Sequence, residues 1–131
     1  DTGGERRVVV RGLERVQLSE SVRTEPYLLA RIEPLTHEPW RAPRAGRDLK
    51  SDLQALRERA ELLAFRKDDA GSRQVLNTLQ WIDDPGALAD YVAHHFVTDW
   101  YVRQEVLEIT DPAERLRTVL DALGYESEAR P

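Results

Sequence analysis

Asp90 and His94 lie four residues apart, followed by His95, in a stretch that reads as one helix, so a carboxylate and an imidazole share a face. Those are zinc-ligating side chains, but two on one helix fall short of the three or four a zinc site needs, and no third is evident. The same spacing describes a surface Asp–His pair with His95 partly buried beside it. Asp68-Asp69 and Asp83-Asp84 have the chemistry of acid–base partners, yet each pair stands at a helix boundary, where carboxylates cap backbone N–H groups. Lys50 adjoins Ser51, but helical neighbours point about 100° apart and form no Ser–Lys dyad. Ser19, Ser21, Ser51, Ser72 and Ser127 occupy strand, turn or cap contexts. The sequence contains no phosphate-binding Gly-rich loop, no Gly-x-Ser-x-Gly, no His-Glu-x-x-His and no cysteine. No catalytic residue, metal or cofactor is therefore expected. Among the aromatic residues, Trp81 and Trp100 flank helix boundaries and are expected to pack. Trp40 lies in a Pro-rich stretch, where it either contacts a polypeptide partner or covers the junction between the flanking elements.

The elements that would position these residues come from 131 residues, 40% hydrophobic and 33% charged, enough for one compact unit with a modest core. The net charge is −5 and unevenly spread. Residues 1–47 hold nine Arg against seven acidic residues, whereas residues 48–131 hold ten basic against seventeen acidic ones. That balance repels phosphate, so nucleic acid is not an expected partner. No apolar run approaches the roughly 18 residues of a membrane span, and the first residues lack the apolar core of a signal peptide. With no cysteine as well, a cytoplasmic location is expected. There is no methionine, even at position 1, so the chain is expected to come from a longer polypeptide.

Periodicity changes near residue 47. Residues 6–18 alternate loosely around Val8, Val10, Val16 and Leu18, interrupted by Gly12, which predicts two strands or one bent strand. A further strand follows Glu25-Pro26, with Leu28, Ala30 and Ile32 on the core face and Leu29 and Arg31 opposite, ending at Pro34. Residues 36–47, with Pro39, Pro43, Gly46 and arginines at 41, 44 and 47, read as an exposed, mobile linker. Five helices are then expected. Leu49, Leu53, Leu56, Ala60 and Leu63 stripe the first, with Asp48 as N-cap; Ser72 caps the second, with Val75, Leu76, Leu79 and Ile82 inward. Asp84 caps the third ahead of Pro85, with Leu88, Tyr91, Val92, His95 and Phe96 buried. Residues 99–109 form the fourth, with Val102, Val106 and Ile109 inward. Asp111, Pro112 and Glu114 open the fifth, which buries Leu116, Val119, Leu120 and Leu123 and stops at Gly124 as C′. The expected fold class is α+β, with residues 1–35 forming strands, 36–47 a linker, 48–124 a helical bundle and 125–131 a frayed tail. Strands so few leave open edges, so a neighbouring segment or chain is expected to complete them.

Five blocks, in order, resemble a known family. They are the runs Val10-Arg11-Gly12-Leu13-Glu14-Arg15-Val16, Thr24-Glu25-Pro26-Tyr27-Leu28-Leu29-Ala30-Arg31-Ile32-Glu33-Pro34-Leu35, Asp83-Asp84-Pro85-Gly86-Ala87-Leu88-Ala89-Asp90-Tyr91-Val92-Ala93, Arg103-Gln104-Glu105-Val106-Leu107-Glu108 and Glu114-Arg115-Leu116. Together they resemble the amino-terminal domain of bacterial ATP-dependent Lon proteases over residues 8–123. The resemblance implies the second half of a PUA-like β-barrel followed by a helical bundle. It further implies a non-catalytic part of a hexameric protease that recognises misfolded or unfolded proteins in quality control, the ATPase and Ser-Lys protease lying elsewhere in the chain. Phe96-Val97-Thr98-Asp99-Trp100 replaces the family's usual Leu-Pro-Leu. Tyr27, Leu29 and Trp40 are the candidate substrate contacts on this reading. A structural oligomerisation module and a stand-alone adaptor of the same family are the alternatives.

Overall fold

The structure, a computed structural model, describes residues 3–35 and 49–128. Trp40, the expected linker with its mobility, the Asp48 cap and residues 129–131 lie outside the described residues. Two antiparallel strands precede five helices, an α+β arrangement, and the chain divides into two compact units, Asp1–Thr36 and His37–Pro131.

In the first unit, β1 (Val16–Arg23) pairs with β2 (Leu29–Pro34). The register sets Val16 opposite Pro34, Leu18 opposite Ile32 and Glu20 opposite Arg31, with irregularities at Ser19 and Val22. The Ser19 hydroxyl donates to the Arg31 carbonyl at 3.3 Å, and the Leu35 N–H donates to the Arg15 carbonyl at 3.0 Å, extending the ladder. The expected strand at 8–10 is not formed. A Val-rich run has β propensity, but a strand needs a partner for its backbone groups, and none is present there among the described residues. Residues 3–35 contain no buried side chain; Leu28, Ala30 and Ile32, expected in a core, are exposed because the two-stranded sheet is open rather than closed into a barrel.

The second unit contains α1 (Leu49–Lys67), α2 (Ala70–Leu79), α3 (Pro85–Phe96), α4 (Trp100–Glu108) and α5 (Pro112–Glu128). Its core is built from the expected stripes: Leu49, Leu56 and Ala60 of α1, Val75 and Leu79 of α2, Leu88 and Val92 of α3, Val106 of α4, and Leu116, Val119 and Leu123 of α5. Helix α5 packs against α1, α3 and α4, while α1 also receives α2 and α3. Asp84 caps α3 through its carboxylate, which accepts from the Ala87 N–H at 2.7 Å, with Pro85 in the first turn. Asp99 caps α4, and Asp111 accepts from the Ala113 N–H at 3.2 Å to open α5.

Two expected boundaries are corrected. The N-cap of α2 is Asp69, whose carboxylate accepts from the Ser72 N–H at 2.7 Å, so Ser72 lies buried inside the helix rather than capping it. Asp68 supplies the break with φ 44°, a left-handed conformation that terminates α1 without glycine. Helix α5 continues through Gly124 to Glu128, because a glycine lowers helix propensity by only about 1 kcal/mol and does not itself stop a helix. Trp81 and Trp100 are exposed rather than packed; Trp100 stacks on Tyr101 with ring centroids 3.7 Å apart.

Candidate functional site

The hairpin sorts its side chains by register. Val16, Leu18, Ala30, Ile32 and Pro34 share one face, with Ser21 opposite Ala30. Gln17, Glu20, Arg23, Leu29, Arg31 and Glu33 share the other. The Arg31 Nε lies 3.5 Å from the Glu20 Oε2, an exposed ion pair across the two strands. Leu29 therefore sits among charges, and it is less exposed, at 43%, than Leu18 at 70% on the apolar face. Tyr27, in the bend ahead of β2, is exposed. Tyr27 and Leu29 are thus both accessible but belong to different settings, a bend and a polar strand face. The residues that sequence reasoning missed are Leu18 and Ile32. Their alternation was legible, but alternation identifies an apolar face without saying whether anything covers it. Val8, Val9, Val10 and Leu13 are exposed as well, so residues 3–35 offer water an unusually apolar surface.

In the bundle, the candidate metal-ligating residues have other engagements. The Asp90 carboxylate accepts from the Arg115 Nη1 at 3.2 Å, and the His94 Nδ1 lies 3.4 Å from the Arg103 Nη2. His95, expected to be partly buried, is exposed, with its ring 4.6 Å from that of Tyr91 and 4.9 Å from that of His94. Desolvation nonetheless holds its pKa below the usual 6.5, with His94 and Lys67 adding like-charge repulsion. Among the described residues, no three of His, Cys, Asp and Glu come together to hold a metal ion, and no helix is long and apolar enough to cross a membrane. Asp69 acts as a cap, and hydrogen bonds from the Ser72 side chain and backbone N–H hold its carboxyl below the ordinary range. Asp84 likewise acts as a cap.

The protein class so defined is an α+β domain that presents apolar surface. The sequence profile of the ATP-dependent protease La (LON) substrate-binding domain matches residues 1–124, and the chain belongs to that family. It is 35% identical over 123 residues to a Lon protease of Desulfovibrio desulfuricans, covering 93% of this chain and 13% of that protein. Against a Lon protease of Chloroflexus aurantiacus it is 36% identical over 113 residues, 86% of this chain and 13% of the relative. A Thermus thermophilus protein named Lon protease 2 is 34% identical over 126 residues, covering 94% and 15% respectively. The chain thus spans only a small fraction of the length of the relatives it matches.

Proposed function

We propose that this chain is the substrate-recognition part of a Lon-type ATP-dependent protease, engaging apolar segments of misfolded or unfolded proteins in cytoplasmic quality control. The observation that carries this reading is the exposure of Leu18, Leu28 and Ile32, together with Val8–Val10, in a unit with no buried side chain among its described residues. An unfolded polypeptide differs from a folded one chiefly in the apolar surface it shows, and a complementary apolar surface recognises that difference by removing both from water. Tyr27 adds a ring with a polar tip, suited to contact with varied sequences. Leu29 and Trp40 complete the proposed contact set. Residues 1–35 act as the carboxyl half of a PUA-like β subdomain, joined through 36–47 to the bundle at 48–124. The chain has no catalytic part in this scheme; ATP hydrolysis and peptide cleavage belong to other segments of the protease.

A second reading, assembly, is favoured by α4, where Trp100, Tyr101 and Leu107 are exposed and only Val106 is buried. On that reading the bundle packs between subunits of a hexamer. Binding of reduced, alkylated lactalbumin, compared with the native protein, tests the first reading. Preference for the unfolded form, weakened by Leu18→Ser with Ile32→Ser, supports recognition; equal affinity for both forms refutes it. Sedimentation of the same chain reports on assembly separately.

A further inference from the structure

Residues 5–11 run without helix, turn or bend ahead of β1, and Val8, Val9 and Val10 are 78%, 98% and 83% exposed. Among the described residues, no backbone N–H or carbonyl of that run bonds to another backbone group. A β-branched run with unpaired main-chain groups is suited to join the edge of a sheet. In an extended conformation its side chains alternate, with Val8 and Val10 on one side and Arg7, Val9 and Arg11 on the other.

The hairpin supplies such an edge. The Leu35 N–H and the Arg31 carbonyl both face β1, the first donating to the Arg15 carbonyl and the second accepting from the Ser19 hydroxyl. Backbone direction alternates along a strand, so Leu29, Arg31 and Glu33 turn their main-chain groups towards β1, while Ala30, Ile32 and Pro34 turn theirs outward. The outer edge of β2 therefore offers the N–H and carbonyl groups of Ala30 and Ile32 and the carbonyl of Pro34, which has no N–H. The same three residues lie on the apolar face, where Ile32 is 55% exposed. The outer edge of β1 is a poorer template, because the irregularities at Ser19 and Val22 interrupt its alternation.

We propose that residues 6–11 of one copy of this chain pair antiparallel with the outer edge of β2 in a second copy, extending the two-stranded sheet to three. Val8 falls opposite Ile32 and Val10 opposite Ala30, each pair exchanging both main-chain bonds, and the Arg6 N–H donates to the Pro34 carbonyl. Charge fixes this register. Arg7 stands opposite Glu33, Val9 opposite Arg31 and Arg11 opposite Leu29, whereas a shift of two residues in either direction sets Arg7 or Arg11 against Arg31. A shift of one residue turns Val8 and Val10 to the charged face. The donor strand cannot come from the same chain. A segment antiparallel to β2 runs parallel to β1, and such returns take a dozen or more residues, whereas four separate Arg11 from Val16. The connection would run back along β2, about 17 Å, and across two strand spacings, about 10 Å, a separation of about 20 Å; the chain from Arg11 to Val16 reaches at most about 18 Å. The added strand keeps Val8, Val10, Ala30 and Ile32 on one open face, so the association broadens the apolar surface without covering it. It is therefore independent of the substrate-recognition reading.

The test is disulfide trapping and sedimentation of the full chain, which has no cysteine of its own. Val8→Cys and Ile32→Cys chains carrying tags of different size are mixed and oxidised. Directly opposed Cα atoms in a bonded pair lie about 5.5 Å apart, a separation that suits a disulfide, so the mixed product is expected. Val9→Cys mixed with Ile32→Cys places the thiols on opposite faces and is expected to yield little. Sedimentation of the unsubstituted chain is expected to show association that rises with concentration. Val8→Pro removes a bonded N–H and is expected to abolish the association; Val9→Pro removes an N–H that points to solvent and is expected to retain it. Arg7→Glu is expected to weaken association about two- to fivefold, and Glu33→Arg in the same chain to restore it. Because the run is unpaired in the single chain, circular dichroism is expected to be unchanged in each variant. A monomer at every concentration, or association that survives Val8→Pro, overturns the proposal, the second result placing the contact elsewhere, such as α4. A Val8→Cys, Ile32→Cys double variant that closes its disulfide within one chain overturns it too. Preference for unfolded lactalbumin by a chain that stays monomeric removes the strand exchange alone and leaves the recognition reading standing.

Discussion

Arg115 is 2% exposed, and hydrogen bonds from its guanidinium hold α5 against the chain before it. Nε and Nη2 donate to the Ile109 carbonyl at 3.0 and 2.8 Å, and Nη1 donates to Asp90 on α3 at 3.2 Å. The carbonyl is the C-cap position of α4, so one side chain ties three helices together. Arg115→Met keeps most of the volume but removes the donors, and is expected to cost about 1–3 kcal/mol. Arg115→Ala adds a cavity and is expected to cost about 3–5 kcal/mol. Urea denaturation measures both, and near-identical values would show that the lost hydrogen bonds rather than the lost packing set the cost. His95 gives a residue-scale pH effect. Its folded pKa is below 6.5, so from near-neutral pH down through that window the unfolded chain takes up the proton first and stability falls with acidification. Tyr91, His94 and Lys67 surround it, Asp69 shares the cleft between α2 and α3 with it, and Arg103 lies beside His94. The decline in urea midpoint between pH 7.5 and pH 5.5, values chosen about one unit either side of the reference pKa, is expected to be smaller in His95→Gln.

Short helices depend on their ends, since each leaves four backbone N–H groups without an internal partner. Helix α3 solves this with Asp84, and its second residue, Gly86, is packed so closely that an added Cβ would lie 3.2 Å from the Arg115 Nη1 and 3.3 Å from the Asp84 Oδ2. Both neighbours are held by hydrogen bonds and cannot give way easily. Asp84→Ala is therefore expected to cost about 1 kcal/mol. Gly86→Ala is expected to be destabilising despite alanine's better helix propensity, and combining it with Arg115→Met should recover part of its cost. Additive losses in thermal denaturation would refute that coupling.

At the scale of the whole molecule, stability and exposure are divided between the two units. Among the described residues, every member of the hydrophobic core lies between Leu49 and Leu123, and residues 3–35 contribute none. Removal of residues 1–35 is expected to leave the helical circular dichroism and urea midpoint of the remainder close to those of the full chain. The same deletion is expected to remove the preference for unfolded lactalbumin. A bundle that melts when the hairpin is removed would contradict this division.

The helices of the bundle were legible from the sequence because each carries its own instruction: an apolar stripe at helical spacing and, at α3 and α5, an aspartate where the orphan N–H groups begin. Leu56, Leu88, Val92, Leu116 and Val119 are core residues on that ground alone. Local chemistry also sufficed for Asp84-Pro85, since a cap and its helix are neighbours in the chain. The strand region was less legible. Val8–Val10 has the composition of a strand and forms none, while Leu18 and Ile32 have the pattern of a core face and remain exposed, because a strand's fate depends on partners remote in sequence. The cleft between α2 and α3, the exposure of His95 and the union of Asp90, Arg115 and Ile109 likewise depended on tertiary packing. Periodicity reports which way a side chain faces along its own element; only the assembled structure determines what, if anything, stands opposite it.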